Sequence, residues 1–174
     1  MDIYNVLRQE GQTITKEKGE PVFRQGESDK HLYFVQSGML KAYYTSRSGK
    51  EFIKSFIMPQ DLIGSLTSVY SKQSCSFSLV CLEPTVLLKI AFEVLQDYSQ
   101  KHHDIANKLI ELLIGFAMKK ERREYEFLCL SAEERYKLLE KNSPDLLAKV
   151  TQNDIARYLG VTPVALSRIK HRIP

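Results

Sequence analysis

Between Gly19 and Gly64 the chain alternates apolar and polar positions in short runs, set apart by Gly19, Gly26, Gly38, Gly49 and Gly64 at intervals of 7 to 15 residues. Such spacing predicts many short strands. In HLYFV, Leu32 and Phe34 share one face and Tyr33 and Val35 the other; in EFIKSFI, Phe52, Lys54 and Phe56 oppose Ile53, Ser55 and Ile57. The tetrad Ser46 to Gly49 accepts turn conformations, so residues 39–58 read as a hairpin. Two further runs, Cys75 to Leu82 and Thr85 to Ile90, flank Glu83-Pro84. A small jelly roll or related β-roll accounts for this number of strands.

Near Phe92 the period changes. In DIANKLIELLIGFAM, Asp104 to Met118, one stripe holds Ile105, Leu109, Leu112 and Phe116, and the next Ala106, Ile110, Leu113 and Ala117. These spacings are helical, but an ordinary surface helix has a single apolar stripe. This one must be covered from two sides: by the β-roll, and most simply by the same helix of a second subunit. The expected seam of that homodimer is Ile105, Leu109, Leu112 and Phe116. The following KKERREYE reads as a solvated mixed-charge continuation. Ser131-Ala-Glu-Glu134 fits a capping box opening a helix to about Lys141, which Asn142-Ser-Pro144 stops.

At the end of the chain the local signals agree closely. Thr151 reads as an N-cap, Gln152 to Leu159 as a helix, Gly160 as its C-terminal turn, Thr162 as a second N-cap and Pro163 as the first residue of a second helix. Two helices joined this tightly, the second basic in its C-terminal half, form the helix-turn-helix arrangement. Ile155, Ala156, Leu159, Val161, Leu166 and Ile169 supply its packing face. Val164, Ala165, Ser167, Arg168, Lys170, His171 and Arg172 are left to face a major groove and its phosphates, with Thr151, Gln152 and Thr162 at the helix starts. The expected organisation is α+β: a sensor roll over 1–103, a long helix over 104–128 and a DNA-binding unit over 129–174.

Charge supports that placement. Of the formal net charge of +4, residues 151–174 carry +3, from Arg157, Arg168, Lys170 and Arg172 against Asp154, leaving +1 for the rest. No apolar run approaches the roughly 20 residues of a membrane span, and MDIYNVLRQEGQ lacks a basic start followed by an apolar stretch, so a cytoplasmic protein is expected. Cys75, Cys81 and Cys129 contain no Cys-x-x-Cys pair and read as free thiols.

TQNDIARYLGVTPVALSRIKHRI resembles the helix-turn-helix of the cyclic-AMP receptor and Fnr family of bacterial regulators, in particular its short members. KGEPVFRQGESDKHLYFVQSGMLKAYY and SGKEFIKSFIMPQDLIGS are similar to that family's cyclic-nucleotide-binding roll, and SAEERY to the hinge after its dimerisation helix. The resemblance implies a dimer with parallel central helices, a DNA operator of two half-sites, and RNA polymerase as a further partner. It places Arg168 where the family's second base-reading arginine is found. Pro163 and Val164 stand where the best-known members have Arg and Glu, so their operator is not carried over. Many members continue past the recognition helix into a β-hairpin wing; here the given sequence reaches Pro174, implying a weaker grip on DNA or a chain that continues.

The resemblance also places an effector pocket at Gly64, Ser65, Leu66, Cys75 and Ser76. The family has a Glu for the ribose hydroxyl and an Arg for the cyclic phosphate, where this chain has Ser65 and Cys75; its Pro-Gly-Asp turn becomes Pro59-Gln60-Asp61. Burying a phosphate without a paired cation costs several kcal/mol. Cyclic AMP is therefore not expected as effector in the usual way, and no cofactor is assigned. The pocket is expected to be empty, filled by side chains, or tuned to a less charged ligand.

Other classes fit poorly. A metal-binding or enzymatic roll needs clustered ligands, yet His31, His102, His103 and His171 form no His-x-His within a strand pair, and neither a Ser, His and Asp set nor a phosphate loop is present. A thiol sensor needs an electropositive cluster beside a cysteine, and the family's iron-sulfur members have an N-terminal cysteine cluster that residues 1–74 lack. The remaining alternative is a ligand-binding signalling module that does not bind DNA.

Overall fold

The computed structural model describes residues 3–172. It contains the predicted roll, built from β1 (Gln12–Lys16), β2 (Pro21–Phe23), β3 (His31–Ser37), β4 (Leu40–Thr45), β5 (Glu51–Ile57), β6 (Leu62–Ile63), β7 (Ser78–Cys81) and β8 (Thr85–Ala91). These form two antiparallel four-stranded sheets, in the orders β1-β8-β3-β6 and β2-β7-β4-β5. The hairpin expected over 39–58 is β4 against β5, with Leu40 opposite Ile57 and a bulge between Ala42 and Tyr43. Gly38 turns the chain between β3 and β4 at φ 91°, and a Cβ there would lie 2.6 Å from the Pro84 carbonyl oxygen, so only glycine fits.

Inward-facing side chains of both sheets interdigitate as the core. Phe23, Tyr33, Val35, Leu40, Ile57, Phe77, Leu79 and Leu87 fill it, with Cys75 and Cys81 among them. Leu32 and Phe34, on the opposite face of β3, are buried too. They are covered because helices pack on the outside of the first sheet: α1 (Ile3–Glu10) through Ile3, Val6 and Leu7, and α3 (Phe92–Lys101) through Leu95. The sequence reading did not anticipate α1, nor the single turn α2 (Leu66–Val69).

The long helix, α4, runs from His103 to Cys129, so KKERREYE is helical. The chain divides into two compact units between Leu112 and Leu113, within this helix rather than at its ends. After it come α5 (Ala132–Asn142), α6 (Pro144–Lys149), α7 (Gln152–Leu159) and α8 (Pro163–Arg172). The capping box is present: the Ser131 hydroxyl accepts from the Glu134 N–H, and the Ser131 N–H donates to the Glu134 carboxylate at 2.8 Å. Those bonds hold the Glu134 carboxyl below its ordinary range. Asn142-Ser-Pro144 ends α5 but also begins α6, because Pro144 occupies a first helical turn, where a missing N–H costs nothing.

Of the expected seam, Ile105 is fully buried within the chain, while Leu109, Leu112 and Phe116 are half-buried. Between Asp104 and Met118 the exposed large apolar side chains are those of the other stripe and its flank: Ile110 at 54%, Leu113 at 48%, Ile114 at 54% and Met118 at 58%.

Candidate nucleic-acid interface

The last two helices are set by short-range chemistry. The Thr151 hydroxyl accepts the Asp154 N–H at 3.1 Å and donates to the Asp154 carboxylate at 2.9 Å, closing the first turn of α7 around a buried acid. Gly160 ends that helix at φ 71°, ψ 27°, the left-handed conformation that glycine adopts without steric cost. The Thr162 hydroxyl then accepts the Ala165 N–H at 3.2 Å and Pro163 opens α8.

The faces divide as the spacing predicts. Ile155, Ala156 and Leu159 of α7 and Leu166 and Ile169 of α8 are buried, with α7 packed on α8. Ala156 is fully covered where the helices meet, a position that admits little more than a methyl group. Thr151, Gln152, Thr162, Val164, Ser167, Arg168, Lys170, His171 and Arg172 are exposed. Ala165 is half-buried, so it presents less surface than the sequence implied. The Lys170 ammonium donates to the Gln152 amide oxygen at 3.1 Å, bringing the basic end of α8 to the start of α7. The Thr151 hydroxyl, by contrast, is already occupied by its cap.

Sequence reasoning missed the clamp behind this motif. Arg123, read as part of a solvated run, stacks 3.9 Å from the Tyr158 ring centroid and 4.7 Å from that of Phe127. Its Nη2 also donates to the Tyr158 carbonyl at 2.8 Å. Arg135 stacks on Phe127 at 4.5 Å and donates to the carbonyls of Leu130 at 2.7 Å and Leu159 at 3.0 Å. The Tyr158 and Leu159 carbonyls belong to the last turn of α7, where no helical N–H reaches them and where the helix dipole favours cations. Two guanidinium groups thus satisfy the end of the first motif helix from the region that precedes it. The KKERREYE run carried a signal in its aromatic neighbours Tyr125 and Phe127, but nothing local names Tyr158 as the partner.

The residues of the other candidate site, in the roll, divide between the core and the surface. Cys75 is 2% exposed and packs in the core with Phe23, Tyr33 and Phe77; its N–H donates to the Glu27 carbonyl at 2.7 Å and its carbonyl accepts from Gly26 at 2.9 Å. Phe23 lies 6.1 Å from Tyr33 and 5.2 Å from Phe77, ring to ring. Ser65 is 1% exposed, and its hydroxyl accepts a long bond of 3.4 Å from the Ser76 N–H. Leu66 and Ser76 face outward. Gly64 has no room for a Cβ, which would lie 2.9 Å from the His31 carbonyl oxygen.

Asp29 ties together polar groups of β3 and α2 at this end of the roll. The Tyr33 hydroxyl donates to Asp29 at 2.8 Å, the other Asp29 oxygen meets His31 Nδ1 at 2.8 Å, and the Asp29 N–H donates to the Ser68 hydroxyl at 2.9 Å. Burial, then the bond to Asp29, pushes the Tyr33 pKa far above its ordinary value, so the phenol remains a neutral donor.

Comparisons with known proteins bear on the roll and on the fold of the chain as a whole. Residues 13–102 match the family model of the cyclic nucleotide-binding domain. The chain is 29% identical over 167 residues to the anaerobic regulatory protein of Aggregatibacter actinomycetemcomitans, covering 90% of this chain and 64% of that protein. It is 29% identical over 171 residues to the fumarate and nitrate reduction regulatory protein of Salmonella typhi, covering 90% and 66%. The chain therefore spans just under two thirds of the length of these relatives. Among solved structures, FixK2 from Bradyrhizobium japonicum is similar in fold, with a TM-score of 0.81 at 20% identity over 94% of this chain and 84% of that one.

Proposed function

Because this chain belongs to the Crp-Fnr family of regulators, with a cyclic nucleotide-binding domain over residues 13–102, we propose that it is a DNA-binding transcription regulator acting as a homodimer on a two-half-site operator. One observation carries the reading: α8 exposes Val164, Ser167, Arg168, Lys170 and Arg172 along one side while Leu166 and Ile169 anchor the other in the core. An anchored helix with a basic, uncovered face fits a major groove. Arg168 reads a base edge through its planar fork, while Lys170, Arg172 and Gln152 meet phosphates. Thr162 and Ser167 add hydroxyl donors, and Val164 and Ala165 the apolar contacts that a thymine methyl accepts.

Dimerisation is proposed through the exposed stripe of Ile110, Leu113, Ile114, Ala117 and Met118, whose spacing suits a parallel helix pair. Binding half-sites one helical turn of DNA apart requires the dimer to set two copies of α8 about 34–36 Å apart. Contact with RNA polymerase belongs to the same reading.

The effector is not cyclic AMP. Cys75, buried among Phe23, Tyr33 and Phe77, brings no positive charge to the position where the family's arginine would pair a cyclic phosphate, and burying that phosphate without a cation is costly.

Selection of duplexes from a random pool tests the function. Enrichment of a palindrome with half-sites one helical turn apart is the expected result. Failure to enrich any sequence, with no salt-dependent binding, would leave the signalling-module alternative.

A further inference from the structure

We propose that Arg123, Phe127 and Arg135 lock the helix-turn-helix onto the end of α4, and that this grip sets the spacing between the half-sites the dimer accepts. The inference rests on the DNA-binding reading above and concerns the residues that position α8, not those that touch DNA. All of its parts lie within one compact unit, Leu113–Pro174.

The three side chains converge on three consecutive residues. Arg123 donates to the Tyr158 carbonyl at 2.8 Å and stacks on that residue's ring, and Arg135 donates to the Leu159 carbonyl at 3.0 Å. Phe127 meets the next residue: a Cβ on Gly160 would lie 3.0 Å from its Cε1, so the ring sits on the turn that joins α7 to α8. Arg123 and Phe127 stand one helical turn apart on the same face of α4. Both guanidinium groups stack on the Phe127 ring, at 4.7 Å and 4.5 Å, which ties the three contacts into one cluster. α8 is carried along, because Leu166 and Ile169 are buried where it packs on α7.

The place of this cluster gives it a role. The segment that resembles a hinge, residues 131–136, contains Arg135, which also closes the segment on α4 through the Leu130 carbonyl at 2.7 Å. For α8 to swing about that hinge, all three contacts to the end of α7 must break, and the two carbonyls have no helical N–H to fall back on. The motif therefore follows α4. The turns of α4 before Arg123 carry Leu113, Ile114, Ala117 and Met118, the exposed residues assigned above to the dimer seam. One continuous helix thus links the seam to the grip.

DNA reads a small loss of stiffness directly. With half-sites about 34–36 Å apart, each α8 lies about 17 Å from the two-fold axis, so a swing of about 10° moves it about 3 Å, close to the rise of about 3.4 Å per base pair. A gripped motif accepts one spacing, and a loosened one accepts its neighbours.

Duplexes with the selected half-sites at the selected spacing, and at one base pair shorter and longer, separate positioning from contact when a single half-site serves as control. The native chain should prefer the selected spacing by about tenfold or more. Arg123→Ala and Phe127→Ala should reduce that preference to about threefold or less while single-half-site affinity stays within about twofold, a pattern that unfolding of the motif would not give. Arg123→Lys keeps a cation for the rings and one bond to the carbonyl, so it should recover part of the preference. Should an alanine variant not fold, Arg123→Gln, which loses the cation, is read in the same way. A second measurement needs no DNA. Spin labels on the exposed Cys129 and at Ser167→Cys, with Cys75 and Cys81 buried and unlabelled chain in excess, report the distance from α4 to α8 within one chain. Its distribution should be narrow with the native grip and broaden when Arg123→Ala or Arg123→Gln is added. Equal binding of the native chain at neighbouring spacings, a spacing preference unchanged in the folded variants, or an unchanged distance distribution would each overturn the proposal. A native chain that binds no duplex at any spacing overturns the DNA-binding reading instead, and the labelled distance then decides the grip by itself.

Discussion

Arg135 offers the sharpest test of how the C-terminal unit is held. Its guanidinium donates to two carbonyls, Leu130 at 2.7 Å and Leu159 at 3.0 Å, and stacks on Phe127 at 4.5 Å, while its Nε is buried without a partner. Hydrogen bonds with a charged donor contribute about 1.5–3 kcal/mol each, and the lone Nε costs about 1–3 kcal/mol. The stacking adds about 0.5–1 kcal/mol. Alanine removes all of these together, so the net loss for Arg135→Ala is about 2–4 kcal/mol. Arg135→Lys retains the charge but not the fork, and an ammonium reaching one carbonyl should recover about half of that. Urea unfolding followed by far-UV circular dichroism measures both variants, with hydrogen exchange in α7 as a local readout, since two units need not unfold together. A loss below about 0.5 kcal/mol for the alanine variant, or equal losses for the two variants, would refute the reasoning.

Four further outcomes follow from the same geometry. Arg168→Ala should cost about 1–3 kcal/mol on the selected operator and relax preference at one position per half-site, whereas Lys170→Ala should weaken all duplexes alike and flatten the salt slope; anisotropy titrations on specific and random DNA separate them. Ile110→Asp and Leu113→Asp should yield monomers in sedimentation at micromolar concentration, whereas Leu109→Ala should leave the dimer intact; the reverse pattern would restore the seam of Leu109, Leu112 and Phe116. Calorimetry with cyclic AMP should give a Kd toward the millimolar range, and a value below about 10 μM would show the inference from Ser65 and Cys75 to be wrong. Ser131→Ala should destabilise by about 1 kcal/mol through loss of the cap. Because the native bonds hold Glu134 below its ordinary pKa, the cap's contribution is present above the ordinary carboxylate range and fades as pH falls through the lowered value. In Ser131→Ala, a nuclear magnetic resonance titration should find that pKa moved back up.

What the sequence determined by itself was what is written in contiguous residues as explicit caps and turns. Thr151, Gly160, Thr162 and Pro163 specify a cap, a left-handed turn and a second start within a dozen positions, and each acts on its own backbone, so the two motif helices appear at the predicted bounds. The capping box at Ser131 and the β4–β5 hairpin were legible for the same reason. Tertiary structure decided what depends on which surfaces meet. Two apolar stripes on α4 are equivalent in sequence, and only packing of Ile105 into the chain left Ile110, Leu113 and Ile114 outside. That Cys75 packs against Phe23, Tyr33 and Phe77, and that Asp29 bonds both Tyr33 and Ser68, needed β2, β3, α2 and the segment before β7 brought together. Arg123 looked like a solvated charge and Arg135 had no assigned role because their acceptors, the orphan carbonyls at the end of α7, lie 35 and 24 residues further along the chain. A local pattern can declare a helix end, but the group that satisfies it is chosen by the fold.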